Sequence, residues 1–268
     1  MTDFALKAAE NLEKIRANKP LIHNITNFVV MNFTANALLA AGASPVMAHA
    51  ENEVEEMAGF AGALVLNIGT LTDTWVDSMV KAGSRATALD TPIILDPVGS
   101  GATVLRTTAA LRILRETNVR VVRGNGSEIL SLRNEESKTK GVDSLHSVDE
   151  AAETATTLAG ELGSVLAITG EVDLVTDGSE TVRVENGHSM MPLVTGTGCA
   201  ATALVGAFNS VDTNPVSATA TALAYYGLAG EWAAENSSGP GSFMIALLDA
   251  LYQLSSEDVR KGCRIVTG

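Results

Sequence analysis

Residues 92–103 read PIILDPVGSGAT, a short apolar run that ends at Asp96 and continues into a glycine-rich loop. Comparable apolar runs occur at 63–68 (ALVLNI), 119–122 (VRVV) and 164–168 (SVLAI). Runs that are apolar throughout, rather than alternating with polar residues, are typical of parallel strands that are covered on both faces. The run at 92–95 and its neighbours therefore predict the core strands of an α/β sheet.

Segments with helical periodicity separate these runs, at 27–41, 51–60, 73–88, 103–116 and 147–162. The last of them begins with Ser147 and Glu150, which form a capping-box pattern. Strands that alternate with helices predict a mostly parallel central sheet with helices on both faces. We further predict a hairpin over 172–185, then helices from Gly198 to about 253. No linker is visible, so we interpret residues 1–268 as one α/β domain.

Composition and charge limit the classes of partner. The 268 residues contain 31 Asp and Glu against 18 Lys and Arg, which gives a formal net charge of −13. Such an acidic surface repels nucleic acid and anionic lipid, so we exclude both as main partners. The first twenty residues suggest an amphipathic helix rather than a signal peptide, and no apolar run is long enough for a membrane span. The two cysteines fit a reducing compartment, and we expect a cytoplasmic protein.

The segment 194–208, VTGTGCAATALVGAF, carries the strongest chemical signal. Gly196 and Gly198 precede an alanine-rich helix, whose unpaired N–H groups and positive dipole end favour an anion. Cys199 lies in the first turn, where a thiolate is favoured and the thiol pKa is lowered. A plain helix start with a buried cysteine is the alternative. The spacing with Ala201 also matches a dinucleotide fingerprint, but no acidic residue follows about twenty positions later.

Three other strand ends carry polar residues, and ligands of open α/β sheets bind beyond the carboxyl ends of strands. Asp96 either binds a metal or orients phosphates, or it caps a turn. Arg123 offers a fork of donors for phosphate. Asn125 and Glu128 either hold a water-bridged Mg²⁺ or form a helix cap. Thr169 either meets a nucleotide phosphate or lies in a simple turn.

A dense set of neutral polar side chains lies between two apolar segments at 20–31. Asn24 or Asn27 can bind a ring heteroatom or a hydroxyl, and Met47 can line an apolar pocket. Roles as a helix cap and as core residues remain open for these three positions. The four histidines are scattered, and we expect none of them to be a ligand.

Together these segments resemble the hydroxyethylthiazole kinase family of thiamine biosynthesis, which belongs to the ribokinase-like superfamily. The resemblance rests, in chain order, on HNITNFVVMNFTANALLAAGASPVMA, LNIGTL, ILDPVGSGAT, RGNGSEI, AITGEVD and VTGTGCAATALVGAF. It implies that the primary alcohol of 4-methyl-5-(2-hydroxyethyl)thiazole is phosphorylated by ATP with Mg²⁺. It also implies a homotrimer with active sites between subunits.

The resemblance implies a role for each matching position. Met47 and Gly196 contact the thiazole, and Cys199 activates the alcohol. The remaining positions serve ATP and the metal, namely Arg123, Thr169 and Gly198 for ATP, and Asp96 and Glu128 for Mg²⁺ and the phosphates. Cys199 stands where most relatives in the superfamily have Asp, and Gly126 stands where Ala is frequent. With Asn24 and Asn27 added from the residue pattern, these form the predicted site.

Three alternative functions stay open. Another small-alcohol kinase of the superfamily, such as a hydroxymethylpyrimidine kinase, fits the same motifs. A repair dehydratase for hydrated nicotinamide cofactors shares part of the pattern, but it has Asp where this chain has Cys199. A non-catalytic nucleotide sensor that keeps the fold is the third alternative.

Overall fold

The computed structural model describes residues 2–133 and 148–267. Nine described strands form one sheet in the order β2-β1-β3-β4-β5-β6-β7-β8-β9. Their bounds are β1 Leu21–Ile25, β2 Ser44–Val46, β3 Ala63–Asn67, β4 Ile93–Asp96, β5 Val119–Asn125, β6 Val165–Thr169, β7 Asp173–Thr176, β8 Thr181–Val184 and β9 Ile265–Thr267. From β2 to β6 neighbouring strands are parallel, and from β6 to β9 they are antiparallel.

The helices in chain order are α1 Phe4–Asn18, α2 Met31–Ala41, α3 Val54–Phe60, α4 Asp73–Ala88, α5 Val104–Glu116, α6 Gly126–Leu130, α7 Val148–Leu162, α8 Thr197–Asn209, α9 Pro215–Glu235, α10 Pro240–Gln253 and α11 Ser256–Gly262. A 3-10 turn at Met191–Leu193 precedes α8. The predicted capping box of Ser147 lies outside the described residues. In the described part of the chain no helix is both long enough and apolar enough to cross a membrane.

The sheet separates two apolar cores, as continuous apolar strands require. In β3, Val65 faces the core beneath α1, α2 and α8 to α11, whereas Leu64 and Leu66 face the core beneath α3 to α7. Both sets of side chains are at most 2% exposed. Because these strands are buried on both faces, their sequences are apolar throughout. The predicted α/β class with helices on both faces is confirmed.

Helices α8 and α9 form the centre of one layer, and their composition explains how closely they pack. Alanine, glycine and small hydroxyl residues dominate both helices, and nearly every residue of α8 is buried. A Cβ at Gly206 would stand 2.7 Å from the Val65 side chain. Small residues therefore let α8 lie directly on β3 and β4, which brings its first turn to the carboxyl ends of those strands.

Three strands were not predicted, and the helices predicted over 27–41 and 51–60 begin only at Met31 and Val54. β1 contains His23 and Asn24, which interrupt the apolar pattern although both are fully buried. The segment predicted as a helix over 27–41 becomes helical only at Met31, because Asn27 and the two residues after it lie in the turn that leaves β1. β2 and β9 have three residues each, which is too short for a periodic signal.

Candidate functional site

A polar network joins the carboxyl ends of β1, β3 and β4 to the first turns of α8. Asn67 Nδ2 donates to Asp96 Oδ2 at 2.8 Å and to Cys199 Sγ at 3.2 Å. Asn27 Nδ2 donates to Asn67 Oδ1 at 2.8 Å and reaches Cys199 Sγ at 3.5 Å. Thr202 Oγ1, one turn into α8, donates to Asp96 Oδ2 at 2.8 Å. We call these five side chains the strand-end network.

Asp96 is the only charged side chain among the five, and it is 1% exposed. Burial raises its pKa to about 6, because an ionised carboxylate loses hydration in the interior. The positive charge of Arg123 and the hydrogen bonds from Thr202 and Asn67 act in the opposite direction, and the charge of Glu128 adds to the rise. Both side-chain hydrogen bonds end on Oδ2, so this carboxylate is less fully partnered than a buried charge requires.

Cys199 lies where the sequence places it, but its acidity is the reverse of the prediction. It is the third residue of α8, and its sulfur accepts from two asparagine amides. Burial and the charge of Asp96 nevertheless raise the pKa of the Cys199 thiol to about 11. The helix start therefore does not make a thiolate here, since desolvation outweighs the two hydrogen bonds and the charge of Arg123.

The predicted ATP residues Arg123, Thr169 and Gly198 line one cavity of about 760 Å³. Thr197 and Tyr226 line it as well, together with the segment Asn186–Ser189. Arg123 Nη2 donates to Thr169 Oγ1 at 2.7 Å, so the threonine hydroxyl holds the guanidinium rather than standing free. A Cβ at Gly198 would lie 2.9 Å from Arg123 Nη1, which explains the glycine at this position.

Glu128 forms the capping box that was one of its two predicted roles. Its Oε2 accepts from Asn125 N at 2.9 Å, while Asn125 Oδ1 accepts from Glu128 N at 2.9 Å. Its Oε1 accepts from Gly99 N at 2.8 Å and so ties α6 to the loop after β4. Both oxygens thus bind backbone N–H groups, and the carboxylate shapes the glycine-rich loop that follows Asp96.

The predicted substrate residues differ in their placement. Gly196 is the N-cap of α8 with a φ of +92°, and a Cβ there would meet Val30 at 2.9 Å. Asn27 belongs to the strand-end network. Asn24 is buried within β1 and donates to Ile22 O, while its Oδ1 has no partner. Met47 follows β2, two strands away from β3, and is half-buried.

Sequence reasoning did not select Asn67, Thr202 or Tyr226. A signal for Asn67 was present, because it ends the apolar run at 63–68 as Asp96 ends the next run, and the two residues pair across β3 and β4. Thr202 and Tyr226 gave no such signal, since each lies inside a helix whose neighbours are small or apolar. The sequence already argued against a dinucleotide fingerprint at this loop, and the structure agrees, because a 3-10 turn rather than a strand precedes Gly196.

Comparison with known proteins agrees with this architecture. A model of the hydroxyethylthiazole kinase family matches residues 12–257. The chain is 65% identical over 265 residues to a hydroxyethylthiazole kinase of Desulfotalea psychrophila, with 99% of this chain and 97% of that protein covered. It is similar to a solved hydroxyethylthiazole kinase structure from Pyrococcus horikoshii, with a TM-score of 0.90, 48% identity and coverage of 97% and 98%. A ribokinase-like superfamily protein from Enterococcus faecalis shares the fold at a TM-score of 0.66 and 12% identity, over 96% of each chain.

Proposed function

Because the chain belongs to the hydroxyethylthiazole kinase family, we propose that it transfers the γ-phosphoryl group of ATP to the primary alcohol of 4-methyl-5-(2-hydroxyethyl)thiazole. In this reaction the bond from the γ-phosphorus to the bridging oxygen of ADP breaks. A new bond forms to the alcohol oxygen, and the hydroxyl proton is released. Positioning and charge stabilisation do most of the catalytic work in such transfers.

One observation carries the proposal: the cavity lined by Arg123 meets the strand-end network at the first turn of α8. Arg123 lines the cavity, and its charge also acts on Asp96 and on Cys199. The N–H groups at the start of α8 are unpaired within the helix and favour an anion. We assign the cavity, with Arg123, Thr169 and Gly198, to ATP, and the network end to the accepting alcohol.

We assign Cys199 to the alcohol, as the residue that contacts the hydroxyl. Its thiol, with a pKa of about 11, is not a ready base at neutral pH. Because the proton leaves late in a loose phosphoryl-transfer transition state, a neutral contact that orients the oxygen is sufficient. Gly196, Met47, Asn24 and Asn27 are proposed to surround the thiazole ring.

The residues present fit a magnesium ion, which binds through one or two carboxylates and otherwise through water and phosphate oxygens. The charge of Glu128 adds to the cost of ionising Asp96, and a divalent cation relieves such a cost. Asp96 would hold the ion, and Glu128 would act from the loop side. When bound, the ion neutralises charge on the phosphates. Among the described residues no group of three or more His, Cys, Asp or Glu forms a metal cage.

The same proposal covers assembly and location. We propose a homotrimer with active sites at subunit interfaces, supported by Phe28 and Val29, which are 62% and 66% exposed directly after Asn27. A contiguous exposed apolar pair beside a site favours burial by a partner.

We propose one ribokinase-like domain over residues 1–268 and a cytoplasmic location, which suits two free cysteines.

The test is coupled ADP release with the thiazole alcohol, with Mg²⁺ or with EDTA. We expect turnover that needs both the alcohol and the metal. Arg123→Gln should lower kcat/KM at least a hundredfold. Arg120→Gln is the matched control, since Arg120 lies on the same strand but pairs with Asp90 at the surface. Faster turnover of the hydroxymethylpyrimidine alcohol would favour the other small-alcohol kinase, and ATP binding without product from either alcohol would favour a sensor.

A further inference from the structure

Tyr225 and Tyr226 are adjacent in the middle of α9, and both are buried, at 0% and 3% exposed. The Tyr225 hydroxyl donates to Leu251 O on α10. The Tyr226 hydroxyl has no hydrogen-bond partner, and its side chain lines the cavity of about 760 Å³. A buried hydroxyl without a hydrogen-bond partner destabilises the fold, so its presence at a cavity calls for an explanation.

The two threonine hydroxyls at the same cavity are already engaged. Thr169 Oγ1 accepts from Arg123 and donates to Gly124 O at 3.4 Å. Thr197 Oγ1 donates to Met191 O at 2.9 Å and to Val194 O at 3.0 Å. Neither threonine needs a ligand to satisfy its hydroxyl, and Tyr226 differs from both in this respect.

Arg123 supplies the second unpartnered group at this cavity. Its Nη2 is held by Thr169, but its Nε–H is buried without an acceptor. Tyr226 lies close enough to Arg123 for the guanidinium charge to lower the pKa of the phenol, although burial raises that pKa overall. Both residues line the cavity and each has a buried donor without an acceptor, and an anionic oxygen is the chemical group that accepts from both.

We propose that the Tyr226 hydroxyl, together with Arg123 Nε–H, donates a hydrogen bond to a phosphate oxygen of the bound nucleotide. Tyr226 is then a nucleotide-binding residue whose partner arrives with the ligand. The inference rests on the proposed function only in taking ATP as the occupant of the cavity.

The experiment compares Tyr226→Phe with its neighbour, Tyr225→Phe. Each variant removes one oxygen and keeps the ring. We measure ATP and ADP affinity by calorimetry, KM for both substrates, kcat, and the melting temperature of the free protein. Tyr226→Phe should weaken ATP and ADP binding about tenfold, leave KM for the thiazole alcohol within twofold, and leave the melting temperature unchanged or higher. Tyr225→Phe should lower the melting temperature and leave nucleotide affinity unchanged.

Three results would overturn the assignment. Unchanged nucleotide affinity in Tyr226→Phe is the first, and an equal loss for ATP and the thiazole alcohol is the second. The third is a fall in melting temperature like that of Tyr225→Phe, or a variant that does not fold, since either means that the hydroxyl has a structural partner. If the parent protein binds ATP but phosphorylates no thiazole alcohol, the proposed function fails, and the affinity comparison still decides the role of Tyr226.

Discussion

Asp96 and Asp212 are both buried carboxylates, and each accepts hydrogen bonds from one hydroxyl and one asparagine amide. For Asp212 the donors are Ser217 Oγ at 3.0 Å and Asn11 Nδ2 at 3.0 Å. The corresponding donors of Asp96 are Thr202 and Asn67. The two sites thus begin from the same local chemistry, one at the end of β4 and the other at the turn between α8 and α9.

Their surroundings then diverge. Asp212 also forms a salt bridge with Lys7 Nζ at 3.5 Å, and its Oδ1 accepts from Asn214 N at 3.1 Å. Asp96 has no salt bridge in the part of the chain that the structure describes, and its hydrogen bonds use one oxygen only. Asp212 is satisfied by the fold itself and ties α1 to the helical layer. Asp96 is left with a need for positive charge, which the proposed metal ion would meet.

Asp96→Asn should have the largest effect, with opposite signs for activity and stability. We expect kcat/KM to fall by about two to three orders of magnitude, because the negative charge that we propose holds the metal ion is lost. The folded pKa of about 6 exceeds the usual 3.8, so the folded state binds more protons between pH 4 and 6, and stability falls as pH rises through that window. Without the charge, the free protein should gain up to about 3 kcal/mol at pH 7.5.

Urea unfolding in EDTA at pH 4 and at pH 7.5 checks this gain. The difference between variant and parent should develop between these two pH values and be small at pH 4. A variant that is less stable than the parent at pH 7.5 would contradict the account of Asp96 as an under-partnered charge.

Asp212→Asn should have the opposite pair of effects, a loss of stability with unchanged activity. Its amide must turn a donor toward either Ser217 and Asn11 or Lys7 and Asn214, and the ion pair is lost. We expect a loss of about 2 kcal/mol of unfolding free energy with kcat and KM unchanged at 25 °C. Denaturation monitored alongside the coupled assay measures both. Loss of activity without loss of stability would mean that Asp212 serves the site, and the contrast with Asp96 would be broken.

The contrast also explains which parts of the fold and of the site could be predicted from the sequence. The apolar runs at 63–68 and 92–95 located their strands, and Asp96 after the second run marked the site edge, because burial on both faces leaves a strong local pattern. Arg123 and Thr169 were found in the same way, and the structure brings both to one cavity. Residues that follow a strand are thus visible in the sequence.

Contacts made from within helices were not visible. Thr202 lies in α8 among small residues, and only its packing against β4 brings its hydroxyl to Asp96. The prediction of a lowered Cys199 pKa was wrong for the same reason. Its position in the first turn is a local fact that favours a thiolate, whereas the burial that raises its pKa is set by the packing of other elements. β1 was hidden because His23 and Asn24 are polar residues in a fully buried strand.

Thr202→Val and Ser217→Ala test the comparison of Asp96 with Asp212 through smaller changes, since each variant removes one hydroxyl donor from one aspartate. The hydrogen bond from Thr202 favours ionised Asp96, so its removal should raise the Asp96 pKa further above 6. In EDTA, the window in which stability falls with rising pH should then extend to higher pH, and kcat/KM at pH 7 should drop about fivefold.

Ser217→Ala should lower the free energy of unfolding by about 1 kcal/mol. Urea unfolding across pH 5 to 8 compares the two variants. Identical pH profiles for both would remove the distinction between an aspartate tuned for ligands and one that is structural.

Cys199→Ser should have the smallest effect, and it separates a neutral contact from a thiolate base. With a thiol pKa of about 11, the thiolate fraction at pH 7.5 is on the order of 10⁻³ or less. A serine hydroxyl keeps a polar group beside Asn67 and the alcohol but ionises far less readily, so we expect kcat within about threefold of the parent. Cys199→Ala, which keeps no polar group, is the control and should lose more activity.

Steady-state kinetics from pH 6 to 9 decide between the two roles of Cys199. A thiolate base predicts near-complete loss of activity in the serine variant and a rate that rises with pH in the parent. Retained activity in Cys199→Ser would instead mean that Cys199 acts as a neutral contact and that Asp96 alone supplies the charge of the strand-end network.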